Sequence, residues 1–247
     1  MPYLLMCKTN EQKIKYLDNL FKETYIKDIV NRHDIKNTEV LEDVLNIISS
    51  SVGSLTNPNK LSNSFKSMKN LVVAPNTIKQ YLDYCVDSFL IEKAYRYDVK
   101  GKKYLDTPLK YYYTDIGLRN VRLGFRQQEE NHIMENIIYN ELIIRGYQVD
   151  VGVVTISEKN ENNNYVRKQL EVDFICNLGY ERLYIQSALN IDDVEKKEQE
   201  EKSLIKIDDN FRKIIIVKSN IKKWKDEKGI LILGLKEFLT CPESINS

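Results

Sequence analysis

The chain has 247 residues, which is long enough for two domains of ordinary size. Its composition, with 42% hydrophobic and 30% charged residues, excludes intrinsic disorder as the expected state. A net charge of +1 excludes strong attraction of the whole molecule to nucleic acid or to a membrane. The charge is uneven, because residues 1–124 hold 19 Lys and Arg against 14 Asp and Glu, whereas the rest holds 18 against 22. If the protein meets a polyanion, we expect the first half to do so.

The sequence predicts a soluble, cytoplasmic protein without a membrane partner. Its apolar runs are far shorter than the ~20 residues that a membrane-spanning helix needs. The start, MPYLLMCKTNEQ, lacks the basic stretch and long apolar core of a signal peptide. Four scattered cysteines without a CxxC pair, and only two histidines, give no zinc spacing and indicate free thiols.

The first part of the chain shows helical spacing of its apolar residues. This spacing predicts one helix over residues 11–33, capped by Thr9 or Asn10, and a second over residues 38–50. The stretch SSSVGSLTNPNK that follows has the composition of a loop. We interpret residues 1–37 as a helical linker that precedes the next domain.

Residues 38–116 are predicted to form a winged helix. A short helical pattern over residues 61–68, the break NLVVAPN and a longer helix that begins at Asn76 or Thr77 and continues to residue 91 have the order of a helix-turn-helix, with Phe89 on the core face. The following AYRYDVKGKKYLDTPLKYYYTD predicts two strands joined by a polar turn. In the second strand, alternation should bury at least one of the three tyrosines 111–113.

Two interpretations of this winged helix stay open. A DNA-binding version would use the outer face of the longer helix and the turn of the hairpin, through Lys79, Gln80, Tyr84, Lys100, Lys102 and Lys103. The other version is a protein-docking or interdomain element, because Asp83 and Asp87 on the same helix would repel a phosphate backbone.

Residues 117–247 predict an α/β or α+β domain with a mixed sheet. The predicted order is one helix, three strands, a charged helix and two strands, at residues 132–145, 147–156, 166–177, 181–189, 194–207, 213–219 and 229–235. The run EKKEQEEK in the charged helix is expected to be an exposed face with charge pairing four residues apart.

The segment LEVDF carries the chemistry of this domain. It places Asp173 on a strand, with Val172 and Phe174 on the other side. An aspartate in an apolar strand is costly without a partner, so Asp173 is expected to belong to a site. Glu135 lies on the preceding helix, and the next strand contains YIQSAL. This arrangement resembles the PD-(D/E)xK restriction-endonuclease superfamily.

In that superfamily an Asp and a Glu bind a divalent cation and a Lys assists the attacking water. The resemblance assigns Asp173 to the Asp position, Glu135 to the helical acid and 186–188 to the E-x-K positions. Gln186 keeps an oxygen without the charge, and Ala188 offers nothing in place of lysine. The catalytic set is therefore expected to be vestigial, with Lys196 or Lys197 on the following helix as candidate substitutes for the lysine.

The resemblance extends over nearly the whole chain. The segments YLDNLFKETYIKDIV, TIKQYLDYCVDSFLIEKAYRYDVKGKKYL, KYYYTDIGLRN, HIMENIIYNELIIRGY, EVDF and YIQSAL occur in this order. Together they resemble the C-terminal domain of unknown function attached to prokaryotic AAA+ ATPases. The start PYLL resembles the junction behind the ATPase module, and no GxxxxGK[ST] loop is present. The resemblance implies the C-terminal part of such a protein, as a truncation or a split gene.

We therefore expect a non-catalytic module of an AAA+-like ATPase that binds DNA or a protein and needs no cofactor. The alternative is a nuclease that uses Glu135, Asp173 and Gln186, with Mg²⁺ or Mn²⁺ bound at Asp173. The expected partners are DNA, an ATPase domain or another protein.

Overall fold

The computed structural model describes residues 2–126, 129–160 and 163–246. These residues form two compact units. The first consists of the described residues of Met1–Lys93 and Pro108–Glu129, and the second of those of Ala94–Thr107 and Glu130–Ser247. Helices fill the N-terminal half and a mixed sheet follows, which confirms the predicted α+β class. The domain boundaries at 37/38 and 116/117 remain predictions.

The first unit is mainly helical. Its elements are α1 (Asn10–Asn19), a π-helical segment (Leu20–Ile26), α2 (Lys27–Arg32), α3 (Thr38–Ser50), α4 (Pro58–Lys69), α5 (Pro75–Asp87) and α6 (Ile116–Arg122). All of them except α6 lie where helical spacing predicted a helix. The seven residues of α6 hold too few apolar positions to show a period.

Short polar side chains fix where these helices begin. Thr9 Oγ1 accepts a hydrogen bond from the Gln12 N–H, and the Gln12 side chain accepts one from the Thr9 N–H, both at 3.2 Å. This capping box satisfies backbone donors that would otherwise lack a partner. Asn37 and Asn57 accept bonds in the same way at the starts of α3 and α4.

The end of α5 differs from the prediction. The helix ends at Asp87 and not at residue 91, because Phe89 takes a left-handed φ of 58° and the Leu90 N–H bonds back to the Cys85 carbonyl at 3.1 Å. Phe89 was assigned to the core from helical spacing, but it is 73% exposed. The chain then enters a strand at Ile91.

All three tyrosines of the run 111–113 are buried, and not only those on one face. The Tyr113 hydroxyl lies 2.7 Å from Ser49 Oγ of α3, and the Tyr111 carbonyl accepts a bond from the Gly53 N–H at 3.1 Å. Both faces of this strand segment are therefore covered within the first unit, which simple alternation does not predict.

Within the described residues, the sheet contains eight strands in the order β2-β1-β3-β4-β5-β6-β8-β7. They are β1 (Ile91–Asp98), β2 (Lys103–Tyr113), β3 (Gln148–Lys159), β4 (Tyr165–Leu178), β5 (Glu181–Ala188), β6 (Arg212–Val217), β7 (Trp224–Lys225) and β8 (Leu231–Gly234). β3, β4 and β5 form an antiparallel meander, whereas β6 runs parallel to both β5 and β8. This arrangement confirms the predicted mixed sheet.

The far part of the β1–β2 hairpin belongs to the second unit. β1 runs parallel to β3 there, with Arg96 opposite Val151 and Asp98 opposite Val153. The hairpin turn is held by Asp98, whose Oδ1 accepts the Gly101 N–H at 3.0 Å. The outer segment of the predicted wing is thus paired with a sheet.

The sheet of the second unit packs against α7 (Glu130–Ile144) and α8 (Val194–Ile205), and α9 (Leu235–Thr240) follows β8. Its core cluster is apolar and includes Val154, Val172, Tyr184, Leu204, Ile215 and Ile232. In the described ranges, no helix combines the length and apolarity needed to cross a bilayer.

The charged run EKKEQEEK in α8 is not wholly an exposed face. Glu201 is 0% exposed and its Oε2 accepts a bond from Lys228 Nζ at 2.6 Å. Lys197 lies 3.2 Å from Oε1 of the same carboxylate. The expected pairing at four residues exists, but the distant Lys228 also binds Glu201 and helps to offset its burial.

Gly152 in β3 is expected to tolerate no side chain. A Cβ at this position would lie 2.8 Å from Val172 Cβ, beside a shift in the β3–β4 register. We expect Gly152→Ala to lower the free energy of unfolding by about 1–3 kcal/mol, because the packed β4 must move. Urea unfolding followed by the fluorescence of Trp224 would measure the change, with the exposed Ser157→Ala on the same strand as control. Equal stability of the two variants would contradict this packing.

Candidate functional site

The three predicted catalytic residues lie together in a cleft of the second unit with a volume of about 450 Å³. Glu135 comes from α7, Asp173 from β4 and Gln186 from β5. Helix α8 adds Lys196 and Glu200 to the lining. The three residues come from separate segments of the sequence, and the fold brings them to one place.

Asp173 is built into the β4–β5 pair. Its N–H donates to Gln186 Oε1 at 3.4 Å, and its Oδ2 accepts the Ser187 N–H at 2.8 Å. The Asp173 side chain is nearly buried, with 8% of the residue exposed. A carboxylate removed from water needs such bonds to offset its lost hydration. The aspartate therefore has a structural role whatever else it does.

The position of the motif lysine is part of the hydrophobic core. Ala188 is 3% exposed and belongs to the core cluster that also contains Leu204 and Val217. Ala188 is also one of the residues that line the cleft. No cationic group extends into the cleft from this strand position.

Glu200 is a site residue that the sequence analysis missed. Its carboxylate accepts a hydrogen bond from the Gln186 side chain. Burial raises the pKa of Glu200 above its ordinary value, and the bond from Gln186 acts in the opposite direction. Glu200 follows Lys196 by four residues on α8, so both belong to one face of that helix. That spacing was the signal available in the sequence.

Of the two candidate substitute lysines, only Lys196 reaches the cleft. Lys196 Nζ lies 3.5 Å from Asp193 Oδ2 at the start of α8. Lys197 is held elsewhere, 3.2 Å from the Glu201 carboxylate and 5.2 Å from the ring centre of Trp224. The candidate lysine that lines the cleft is thus on a helix and already has an acidic partner.

The donor groups at the cleft do not fit a divalent-metal site of the expected kind. Such a cation requires several oxygen ligands around one point. Gln186 uses its oxygen for the Asp173 N–H, and its side chain also bonds to Glu200. Among the residues that the structure describes, no group of three His, Cys, Asp or Glu side chains is placed to hold a metal ion. We therefore assign no chemical step to a metal here.

Replacing Glu200 should make the free energy of unfolding of the second unit less dependent on pH. Because its pKa is raised on folding, Glu200 favours the folded state most at low pH, and this contribution is lost as pH rises through the raised pKa. We expect Glu200→Gln to gain stability relative to the natural chain as pH increases from about 4 to about 8. Urea unfolding across this range would measure the difference, with the exposed Glu198→Gln as control. A difference that does not change with pH would contradict the assignment.

The predicted DNA-binding face of α5 is partly occupied by the chain itself. Lys79 Nζ donates to Asp83 at 2.8 Å, and Tyr84 stacks on His33 with ring centres 3.6 Å apart. Burial acts to raise the pKa of Asp83, but hydrogen bonds from Lys79 and Lys93 hold it below its ordinary value. Gln80 is exposed. Two of the three predicted contacts are therefore committed within the first unit.

The hairpin lysines differ from Lys79 in their ion pairing. Lys100, Lys102 and Lys103 are exposed and belong to the second unit. Across the described ranges, none of the three has an acidic side chain within ion-pair distance. Lys100 and Lys102 line a second and larger cleft, which the sequence analysis did not anticipate.

Comparison with known proteins gives relatives without an assigned activity. A family model described as "Domain of unknown function (DUF8612)" matches residues 1–129. An uncharacterized protein of Haemophilus influenzae is 36% identical over 81% of this chain and 46% of that protein. Uncharacterized protein MJ1544 of Methanocaldococcus jannaschii is 30% identical over 75% of this chain and 38% of its own length. The chain thus spans less than half the length of these two prokaryotic relatives.

One solved structure, protein VC1899 from Vibrio cholerae, aligns with 92% of this chain and 54% of that chain. The alignment has 9% sequence identity and a TM-score of 0.33, so it is too weak to indicate a shared fold.

Proposed function

Because the chain belongs to the DUF8612 family, whose description assigns no function, we propose its role from its own residues. It is a non-catalytic DNA-binding module, with a winged helix and a nuclease-like second unit that has lost its catalytic set. The proposal includes an AAA+-like ATPase as the larger protein in which the module works. Both relatives extend well beyond the matched region, which supports a modular role.

The composition of the Asp173 cleft is the main support for a loss of catalysis. Phosphodiester hydrolysis requires positive charge where the attacking water and the leaving oxygen become negative. The E-x-K strand supplies the neutral Gln186 and the core residue Ala188 instead. An additional carboxylate, Glu200, is bonded to Gln186. These positions of β5 therefore supply no positive charge to offset the charge that develops in this reaction.

A cleavage assay tests the non-catalytic part of the proposal. Supercoiled plasmid incubated with Mn²⁺ and the natural chain should stay intact, as it should with Asp173→Ala. The nuclease alternative predicts nicking by the natural chain that disappears in Asp173→Ala. That result would overturn the proposal and assign the missing cation to Lys196, which Lys196→Ala would then test.

DNA binding is supported by the free cations of the hairpin. Lys100, Lys102 and Lys103 are exposed at one turn, where phosphate oxygens are the expected ligands. Lys79, by contrast, is already paired with Asp83. The proposal therefore assigns the phosphate contacts to the hairpin turn before the α5 face.

Fluorescence anisotropy with a labelled duplex at low salt tests this assignment. We expect the triple variant Lys100→Ala, Lys102→Gly, Lys103→Ala to bind the duplex roughly tenfold or more weakly. The slope of the logarithm of the binding constant against the logarithm of the salt concentration should decrease in magnitude by about two to three. Lys79→Ala serves as the matched control and should remain within about twofold. A larger loss in Lys79→Ala would assign binding to α5. Undetectable binding by the natural chain at low salt would refute DNA binding.

Protein docking is the second candidate, and one observation favours it. Met68 in the last turn of α4 is 77% exposed, and Val72 between α4 and α5 is 82% exposed. Large apolar side chains exposed together commonly mark an interaction surface. An ATPase module encoded in the adjacent upstream reading frame would be the partner to purify and test. Val72→Asp should then abolish its binding without affecting duplex binding.

A further inference from the structure

The larger cleft of the second unit has a volume of about 850 Å³ and lies away from Asp173. Three connecting segments form it: the hairpin turn after β1, the turn between β4 and β5, and the loop between α8 and β6. Of these segments, only the hairpin turn was assigned a role from the sequence, through its lysines. The ends of β1 and β5 complete the lining. Its aromatic residues are Tyr97, Tyr180, Tyr184 and Phe211, and its charged residues are Lys100, Lys102, Arg182, Glu181, Asp208 and Asp209.

Arg182 gives the cleft a fixed planar cation. Its guanidinium carbon lies 5.4 Å from the ring centre of Tyr97 and 5.7 Å from that of Phe211. Its Nε donates to Asn177 Oδ1 at 2.8 Å. A guanidinium held in this way is fixed in orientation, and its N–H groups can donate to the acceptor atoms of a nucleobase. It also fills the space between Tyr97 and Phe211, so these rings do not form a cage for an incoming lysine or arginine.

Tyr180 provides a free aromatic surface at the rim. It follows Gly179, whose φ is 59°, in the turn between β4 and β5, and its relative exposure is 104%. A fully exposed tyrosine contributes nothing to the packed core of the second unit. Such a ring is suited to stacking on a base, which is favourable for every base because each has a flat π face.

The charges at the cleft favour an anion at the hairpin side. Lys100 and Lys102 lie there without an ion-pair partner in the described ranges. On the other side, Asp209 accepts bonds from the Tyr184 hydroxyl at 2.6 Å and from the Phe211 N–H at 3.1 Å. Glu181 lies 3.5 Å from Arg212. Two of the three acidic residues of the lining therefore have internal partners. The third, Asp208, lies beside Asp209 in the loop before β6 and not at the hairpin, where the two lysines have no ion-pair partner.

We infer that this cleft binds a nucleotide, with its base against Tyr180 and Arg182 and its phosphate at Lys100 and Lys102. The same chemistry is offered by a free nucleoside monophosphate and by an unpaired nucleotide within a single strand. The inference rests on the proposed function and deepens it, because it uses the same hairpin lysines and adds an aromatic surface on which an unpaired base can stack.

Anisotropy of a fluorescein-labelled thymidine octanucleotide at low salt tests the site. Stacking on Tyr180 predicts that Tyr180→Ser binds about tenfold more weakly. The exposed Tyr165→Ser of the same unit is the matched control and should bind as the natural chain does. Lys100→Ala with Lys102→Gly should also lose about tenfold, whereas Lys222→Ala with Lys225→Ala, which removes as much charge, should not.

The Lys102→Gly change separates binding from folding. Lys102 has a φ of 51°, a left-handed conformation that glycine adopts without strain. We therefore expect the second unit of Lys102→Gly to be at least as stable as the natural one while the octanucleotide binds less well. A loss of binding thus cannot be attributed to unfolding.

Competition distinguishes the two sources of the nucleotide. Displacement of the octanucleotide by thymidine monophosphate supports a site for free nucleotides, and displacement only by unlabelled strand supports single-strand binding. Equal displacement by inorganic phosphate would overturn the inference, because the base would contribute nothing. Unchanged binding by Tyr180→Ser, or no binding by the natural chain, would also overturn it. Duplex binding that survives either result leaves the proposed function intact.

Discussion

Arg119→Met is expected to lower the free energy of unfolding of the first unit by about 3–5 kcal/mol. Arg119 lies in α6 and its side chain is 0% exposed. Its Nε donates to the Ser49 carbonyl at 2.9 Å, and its Nη1 donates to Asn120 Oδ1 at 3.1 Å. Burial lowers the pKa of Arg119, and the nearby Glu129 acts against this effect. Methionine has a similar length but would leave the Ser49 carbonyl without this donor.

Urea unfolding followed by far-ultraviolet circular dichroism would measure this change, since Trp224 reports on the second unit. Arg126→Met, an exposed arginine of the same unit, is the matched control and should stay within about 0.5 kcal/mol. Equal midpoints for the two variants would contradict a structural role for the buried guanidinium. Because Arg119 also joins α6 to the end of α3, its loss is expected to loosen both helices.

Much of the fold was predictable because its elements have strong apolar periods. The helix predicted over residues 38–50 coincides with α3, whose Val40, Leu41, Val44, Leu45 and Ile48 are all buried. The strands predicted around EVDF and YIQSAL are β4 and β5. In these segments local preference and tertiary burial agree, so the sequence alone locates them.

Other features depend on contacts that no local pattern contains. The exposure of Phe89 follows from one left-handed residue at the end of α5, and helical spacing cannot detect it. The burial of residues 111–113 on both faces results from contacts with Ser49 and Gly53, about 60 positions away. Arg119 gave no sign of burial, because the acceptors of a buried guanidinium are known only from the fold.

The same division holds for the sites. Glu135, Asp173 and Gln186 were located by a motif whose spacing reflects neighbouring strands, and they do share one cleft. The second cleft had no such signal, because it combines three connections that are distant in sequence. From the sequence, the hairpin lysines were expected to contact the phosphates of a duplex. Lys100 and Lys102 share their cleft with Tyr180 and Arg182, and only the fold could reveal this neighbourhood, from which we infer a surface for a base.

Glu201 shows most clearly how tertiary partners change the meaning of a charged run. Its neighbours in EKKEQEEK indicate a solvated helix face, yet its own carboxylate is fully buried. Lys228 Nζ donates to Oε2 at 2.6 Å and Lys197 Nζ lies 3.2 Å from Oε1. The buried Asp226 carboxylate shares Lys197 at 3.6 Å. Two acids are thus placed in the interior with two lysines that keep some access to water.

Glu201→Ala is therefore expected to destabilise the second unit by about 2–4 kcal/mol, because it removes a buried partner and leaves a cavity. This loss in the free energy of unfolding should be smaller than for a fully buried ion pair, because Lys228 remains 39% exposed and can turn to water. Glu198→Ala on the same helix is exposed and should cost less than about 0.5 kcal/mol. Trp224 fluorescence during urea unfolding would measure both, because the Trp224 ring lies 5.2 Å from Lys197 Nζ.

If the two variants were equally stable, Glu201 would be a solvated residue, as the charged run first indicated. If only Glu201→Ala lost stability, the lysine-bound carboxylates would be the contact that fixes α8, and with it Lys196 and Glu200, beside the Asp173 cleft.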